Sequence, residues 1–241
     1  TCVPLSALNG DNVLGPSKNL NWYRGLPLVG CLEDVAVAID EKTTPFVMPV
    51  QLSNRLTADR RAALGRVTAG KIAVGDKVQI LPAGLMVKVK QITVGMRTMD
   101  TAITGQSAAI ELAEQVDVGR GHVVVGADYV PAIARQIEAK LLWLAEEPLQ
   151  TGRHYILQLA TQTTSAVVSA IEYRLNINNG EKESATALQL NEIAEVALQF
   201  EQALVVEPYR YSHALGSFIL IDRATNATVA AGMVERSLPN T

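Results

Sequence analysis

Phe46-Val47-Met48-Pro49-Val50-Gln51-Leu52-Ser53 is the stretch from which the fold class can be predicted, because its largest apolar residues occupy every second position. A period of two places alternate side chains on opposite faces of an extended strand, whereas a helix requires a period near 3.6. The predicted buried face consists of Phe46, Met48, Val50 and Leu52. Residues 46–53 are therefore predicted to form a half-buried β-strand.

Strand patterns repeat at short spacing after this stretch. They comprise residues 65–68, 77–81, 85–94, 108–112 and 122–125. Turns such as Val74-Gly75-Asp76 and Pro82-Ala83-Gly84 separate them. Between Val89 and Ile92 the apolar phase shifts by one residue, which predicts a bulge near Lys90. Short strands with frequent turns are typical of a small antiparallel β-barrel.

A second set of strand patterns follows residues 126–131, which we interpret as a linker. The patterns comprise residues 139–143, 155–159, 167–175, 218–221 and 228–231. Residues 190–200 differ, because their apolar residues recur every three or four positions and this spacing alone indicates a helix. We expect one barrel over residues 44–127 and another over 128–241, each with its own apolar set.

The residues before the first barrel, 1–43, are predicted to form a loop followed by a helix. Pro27 suits the first turn of a helix. The predicted apolar face consists of Leu28, Leu32, Val35 and Ile39, at spacings of four, three and four.

Composition excludes several classes of protein. Of the 241 residues, 48% are hydrophobic, which is ample for a packed core and excludes a disordered chain. The net charge of −3 provides no general attraction to nucleic acid or anionic lipid, and the longest apolar runs are too short to span a membrane. Cys2 and Cys31 are too few for a disulfide framework. We therefore expect a cytoplasmic protein, and the absence of an initial Met suggests a piece of a longer chain.

Motifs for catalysis are weak. Residues 65–71 have the glycine and lysine spacing of a phosphate-binding loop, but Ile72 stands where a magnesium-binding Ser or Thr is needed. We therefore interpret them as a barrel turn. The histidines, His122, His154 and His213, lie far apart in sequence and without carboxylates or cysteines at metal-ligand spacing, so no metal site is predicted.

Two segments near the start resemble a known family. Residues 6–13, Ser-Ala-Leu-Asn-Gly-Asp-Asn-Val, and the Trp22-Tyr23 step before Gly25 resemble the end of the GTPase domain in the large, GTP-hydrolysing subunit of bacterial sulfate adenylyltransferase, a relative of the elongation factors. Further resemblance covers nearly the whole chain, at residues 49–51, 65–67, 75–78, 116–121, 142–149, 152–155, 190–193, 216–222 and 225–233.

The resemblance implies a mainly β fold. Residues 1–43 would be the C-terminal remnant of a GTPase domain, and two antiparallel β-barrels would follow, as in elongation factor domains 2 and 3. Residues 190–200 would then be strand, against their helical periodicity. Ser6, Ala7 and Leu8 match the fifth GTPase motif, whose backbone amides approach the guanine.

The same resemblance implies a function for the parent protein. It would couple GTP hydrolysis, with magnesium, to the formation of adenylylsulfate and pyrophosphate from ATP and sulfate. A small catalytic subunit would be its partner, and no nucleic acid or membrane is expected. The phosphate loop and guanine motif of the family precede Ser6, so this chain alone is expected to be inactive and without a cofactor. An alternative is a translation-factor-like module that binds tRNA or the ribosome.

Overall fold

The computed structural model describes residues 2–35, 44–57 and 60–239. The chain divides into two compact units, residues 1–39 and residues 40–241. In the first unit, a short 3₁₀ helix (Lys18–Leu20) follows a loop and precedes α1 (Leu28–Asp34). The second unit contains both β-sheets that the sequence pattern predicts.

The first sheet closes into an antiparallel barrel of six strands in the order β4-β9-β1-β2-β8-β5, because β5 also pairs with β4. A short strand β6 extends it and β3 pairs separately with β7. The strands are β1 (Val47–Thr57), β2 (Arg60–Arg66), β3 (Lys71–Ala73), β4 (Lys77–Leu81), β5 (Leu85–Val94), β6 (Arg97–Met99), β7 (Thr101–Ile103), β8 (Ser107–Leu112) and β9 (Val123–Gly126).

The second sheet closes in the same way, in the order β12-β17-β18-β10-β16-β13, with β13 pairing back to β12. Strand β14 extends this sheet, β11 pairs with β15, and the short helix α2 (His213–Gly216) precedes β17. The strands are β10 (Ala132–Trp143), β11 (Leu149–Gln150), β12 (His154–Leu159), β13 (Gln162–Leu175), β14 (Lys182–Glu183), β15 (Ala187–Leu188), β16 (Ile193–Val206), β17 (Ser217–Asp222) and β18 (Thr228–Ser237). The prediction of two antiparallel barrels is confirmed.

Two strand predictions are confirmed in detail. The register of β5 against β8 shifts between Val89 and Gln91, which places the bulge at Lys90. Val89 and Ile92 are both buried in the first core on either side of it. Residues 193–206 form the strand β16 and not a helix. Leu190, which contributed to the helical spacing, lies outside this strand in a turn, and the next residue, Asn191, has φ +66°.

The helix prediction is wrong in its extent. Helix α1 ends at Asp34, so Val35 lies outside it, and Ile39 falls outside the described residues. Gly30 lowers the helix propensity of this segment, and two acidic residues in the last turn oppose the helix dipole. Leu32 is largely exposed, so the predicted apolar face is not buried within the described residues of this unit.

The buried face predicted for residues 46–53 is correct except at Leu52. Phe46, Met48 and Val50 are buried in the core of the first barrel. A shift in register between Val50 and Leu52 then turns Leu52 outward, where it is 56% exposed. A bulge therefore reverses the phase of the alternation within a single strand.

Candidate functional site

The N-terminal loop that carries Ser6, Ala7 and Leu8 is held closed by hydrogen bonds. Ser6 and Asp11 exchange two backbone hydrogen bonds of 3.1 Å. Asn12, buried and with φ +54°, donates through its side chain to the Pro4 carbonyl and accepts from the Ser17 amide. The loop therefore has a defined conformation.

The backbone amides of this loop differ in whether they already donate a hydrogen bond within the protein. The Ser6 amide already donates to the Asp11 carbonyl, and the Ser6 hydroxyl accepts from the Asn9 amide at 3.3 Å. Within the described part of the chain, the amides of Ala7 and Leu8 have no hydrogen-bond acceptor. Leu8 is 95% exposed, so its backbone is accessible. A guanine contact at Ser6, Ala7 and Leu8 remains a prediction.

Residues 65–71 are a barrel turn, as predicted, and not a phosphate-binding loop. Gly65 belongs to β2 and Lys71 begins β3, so the segment runs from strand to strand and does not lead into a helix. A Cβ atom on Gly65 would lie 2.3 Å from the Pro49 carbonyl oxygen, and one on Gly70 would lie 2.5 Å from the Thr44 carbonyl oxygen. Both glycines are therefore needed for close backbone packing.

One end of the second barrel brings together the motifs that carry the family resemblance. Trp143 donates through its indole nitrogen to the Glu147 carbonyl at 2.8 Å. Arg153 pairs with the carboxylates of Glu147, at 3.0 Å, and Asp222, at 2.6 Å. The ring of Tyr155 packs edge-on against Trp143, with 5.9 Å between the ring centroids. These contacts fix the loop before β11 against the turn after β17.

Asp222 is the acceptor at the centre of this cluster. Its Oδ1 accepts from the amides of Ala224 and Thr225, both at 3.0 Å, and from the Thr225 hydroxyl. The Thr225 amide, chiefly, and then the Ala224 amide, the Thr225 hydroxyl and the Arg153 charge hold the pKa of Asp222 below its usual value. Because its oxygens are fully engaged, Asp222 has a structural role and is unsuited to acid–base catalysis.

The three histidines are also engaged locally. His122 accepts from the Gly119 amide at 3.0 Å, His154 lies 3.3 Å from the Ser165 hydroxyl, and His213 stacks on Tyr209. Among residues 2–35, 44–57 and 60–239, no three His, Cys, Asp or Glu side chains are grouped so as to hold a metal ion. No helix of the described part is both long and apolar enough to cross a bilayer.

The two barrels share an apolar junction. Val47, Leu81, Val123 and Val125 of the first barrel belong to the same buried cluster as the core of the second barrel. The first barrel also has a buried core made only of its own residues, so the two cores are distinct and meet at this junction.

The segment between the barrels is also held in place. Pro131 is buried, and the Tyr129 ring packs against the shared cluster. Burial, chiefly, and a hydrogen bond with Glu207 raise the pKa of the Tyr129 phenol above its usual value.

A groove runs along the outer face of the first barrel, beside the second. It has a volume of about 840 Å³ and is lined mostly by apolar and small side chains. Leu52 of β1 lies directly across from Leu64 of β2 in this groove. Sequence reasoning missed the site, because it assigned Leu52 to the buried face. The bulge that exposes Leu52 has no signal in residues 46–53 considered alone.

Known proteins are similar to this chain in sequence over almost its whole length. Residues 136–235 match the family described as GTP-eEF1A C-terminal domain-like. Sulfate adenylyltransferase subunit 1 of Teredinibacter turnerae is 42% identical over 236 residues, which is 98% of this chain and 50% of that protein. The proteins of the same name from Tolumonas auensis and Laribacter hongkongensis are 41% and 39% identical, over 98% and 99% of this chain and 50% of each relative.

The structures of sup35 complexed with GDP and with GMPPNP share the fold. Each has a TM-score of 0.77 at 20% sequence identity, over 98% of this chain and 58% of sup35. This likeness concerns the fold alone. The family resemblance inferred from the sequence is confirmed. The chain is similar over almost its whole length to proteins named sulfate adenylyltransferase subunit 1, and it spans about half the length of those relatives. Its second barrel matches the GTP-eEF1A C-terminal domain-like family.

Proposed function

We propose that this chain is the two-barrel portion of a GTP-dependent sulfate adenylyltransferase large subunit and that it acts as a partner-binding module. The parent protein would use GTP hydrolysis to drive the formation of adenylylsulfate and pyrophosphate from ATP and sulfate, for sulfate assimilation in the cytoplasm. A separate small subunit would transfer the adenylyl group. The observation that carries this proposal is the identity of 39–42% to proteins named sulfate adenylyltransferase subunit 1 over almost the whole chain.

A binding role rather than a catalytic one agrees with the chemistry of the described residues. Asp222 and Arg153 pair with each other, and each histidine has a local partner. The segment with phosphate-loop spacing runs from strand to strand and offers no helix end to a phosphate group. These residues lack the positioning and charge that phosphoryl transfer requires.

GTP and magnesium would belong to the parent protein. GTP would supply the driving reaction there, and this chain would contribute backbone donors at the guanine. The amides of Ala7 and Leu8 fit that role, because within the described residues neither has an acceptor. The Ser6 amide fits it less well, because it is already bonded to the Asp11 carbonyl.

The binding proposal is tested by titrating the small subunit of the same organism's sulfate adenylyltransferase into this chain in a calorimeter. We expect measurable binding, weaker than that of the full-length large subunit, because only part of the contact surface is present. A coupled pyrophosphate assay should show no stimulation of adenylylsulfate synthesis. Undetectable binding at high micromolar concentration, with tight binding by the full-length subunit, would contradict the proposal. Tight binding of tRNA instead would favour the translation-factor alternative.

A second measurement concerns the nucleotide. We expect no GTP hydrolysis above the buffer rate and no tight GTP binding by this chain with magnesium present, because backbone amides at the guanine alone cannot hold the phosphates. Isothermal titration and a phosphate-release assay measure both. Micromolar GTP affinity would show that residues 65–71 have been misinterpreted.

A further inference from the structure

The groove beside the second barrel has an apolar row on a face that normally meets water. Leu52, Leu64, Ala109 and Thr93 lie side by side in register across β1, β2, β8 and β5. Outward-facing residues of an antiparallel barrel are usually polar. Leu52 is nevertheless 56% exposed, and Leu64 and Ala109 are half-buried. An outward apolar row of this kind, exposed in part and ending at the polar Thr93, is typical of an interaction surface.

Arg66 carries the charge at this groove. It lies across from Ser107 in the next row and is the charged residue among the described side chains that line the groove. Arg66 is exposed and forms no ion pair with any residue of the described ranges. An occupant of the groove would therefore be apolar with a carboxylate at one point, since a single cation provides too little charge for a nucleic acid backbone.

The second barrel supplies the opposite wall. Ala160 and Thr161 form the turn between β12 and β13, and Ala160 has φ +50°. The Thr161 hydroxyl oxygen is buried and lacks a hydrogen-bond partner among the described residues. That oxygen has no exposed surface, so it offers no polar contact to an occupant of the groove.

The groove continues beyond this wall. A second groove of about 820 Å³ follows the outer face of the second barrel and shares Ala160 and Ser217 with the first. Leu142 and Ile219 are among its half-buried lining residues. The combined surface is long and open, a shape that suits an extended polypeptide segment better than a compact small molecule.

We propose that this groove binds an extended, apolar segment of the small subunit, with an Asp or Glu side chain of that segment paired to Arg66. The inference rests on the proposed function, which supplies the partner, and adds the place and chemistry of its docking. Leu52 and Leu64 provide the apolar contact, and Arg66 fixes the direction of the segment.

The test uses two groove variants, Leu52→Asp and Arg66→Glu, with calorimetric titration of the small subunit. Both residues are exposed, so the fold should be retained, and circular dichroism melting checks this. Matched controls are Met86→Asp, at a residue that is 50% exposed, and Lys77→Glu. Lys77 lies on β4, which is three strands from β2 in the closed barrel. Met86 lies on β5, at the opposite end of that strand from the groove residue Thr93.

We expect each groove variant to weaken binding by about tenfold or more, the loss typical of a central interface residue, and each control to bind like the unmodified chain. Arg66→Lys should retain part of the affinity, because it keeps the charge but loses the bidentate geometry. A photo-crosslinker at position 93 should attach to one contiguous small-subunit segment containing an Asp or Glu.

Two outcomes overturn the inference and are distinct. If the unmodified chain binds the small subunit and the groove variants bind equally well, the docking site is wrong while the proposed function stands. If the unmodified chain does not bind, the proposed function fails and the inference fails with it.

Discussion

Gly65 shows how a single residue can have the spacing of one motif and the role of another. Its Cα faces the Pro49 carbonyl so closely that a Cβ atom would lie 2.3 Å from that oxygen and 2.9 Å from the Met48 Cγ. The carbonyl belongs to the backbone of β1 and cannot rotate away. Glycine is therefore required for the packing of β1 against β2, and its place in a phosphate-loop spacing is incidental.

Replacing Gly65 by Ala should lower the free energy of unfolding by about 2 to 3 kcal/mol, because the added methyl group overpacks a rigid contact. Urea denaturation measures the loss. Gly119→Ala is the matched control, since a Cβ there meets no atom within 4 Å. Equal stability of the two variants would contradict this account of Gly65.

Asp222 gives a pH-dependent prediction at the same scale. Its pKa is lowered in the folded state, first by the Thr225 amide, so its ionised form stabilises the fold above the pKa it has when unfolded. That stability should disappear as the pH falls below about 4, through the folded-state pKa. Asp222→Asn should therefore be less stable than the unmodified chain at neutral pH, and the difference should shrink in acid.

Thermal melting between neutral and acid pH measures this difference. Asp100→Asn, at an exposed residue of the first barrel, is the control and should show no comparable convergence. A constant difference between Asp222→Asn and the unmodified chain at every pH would mean that the lost contacts are not linked to ionisation.

At the scale of the element, the hairpin of β4 and β5 contains an unfavourable pair. Lys77 lies directly opposite Lys88, both are exposed, and neither forms an ion pair with a described residue. Like charges at directly opposed positions destabilise an antiparallel pair. Lys77→Glu should therefore stabilise the chain by about 0.5 kcal/mol in dilute buffer, with a smaller gain at high salt.

Chemical denaturation at two ionic strengths measures that gain. Lys71→Glu is the control. Lys71 of β3 lies opposite the apolar Ile103 of β7, so the change creates no new charge pair there. A gain of the same size in both variants would indicate a general effect of net charge.

The elements also show where prediction from the sequence succeeds. Strand patterns with turns predicted both barrels, and the phase shift in residues 85–94 predicted the bulge at Lys90, because apolar residues lie on both sides of it. After Leu52 the next apolar residue, Leu56, is again even-numbered, so the sequence shows no shift of phase and the groove was missed. The spacing from Leu190 to Phe200 resembled a helix because it combines a turn residue with a strand, and the family resemblance rather than periodicity identified it. Residues brought together by folding, such as Leu64 and Ala160, have no signature in sequence.

At the scale of the whole molecule, the barrels are joined by buried contacts and not only by the chain between them. Val47, Leu81, Val123 and Val125 of the first barrel pack in the cluster of the second barrel. Separating the barrels would expose this apolar surface to water, which is unfavourable.

The two barrels should therefore unfold in one cooperative transition. Differential scanning calorimetry should give a single peak with agreement between the calorimetric and van't Hoff enthalpies. Limited proteolysis should spare residues 126–131, because Tyr129 and Pro131 are held against the protein. Two transitions, or early cleavage within this segment, would show that the junction is weak.

The shared junction also limits how the two barrels can move relative to each other. A change in the angle between the barrels would disrupt the buried side chains that pack across the junction. Under the proposed function, a change of nucleotide state in the parent protein would therefore displace both barrels together as one rigid body. A partner that touches one barrel would then sense a movement applied to the other, without any rearrangement between them.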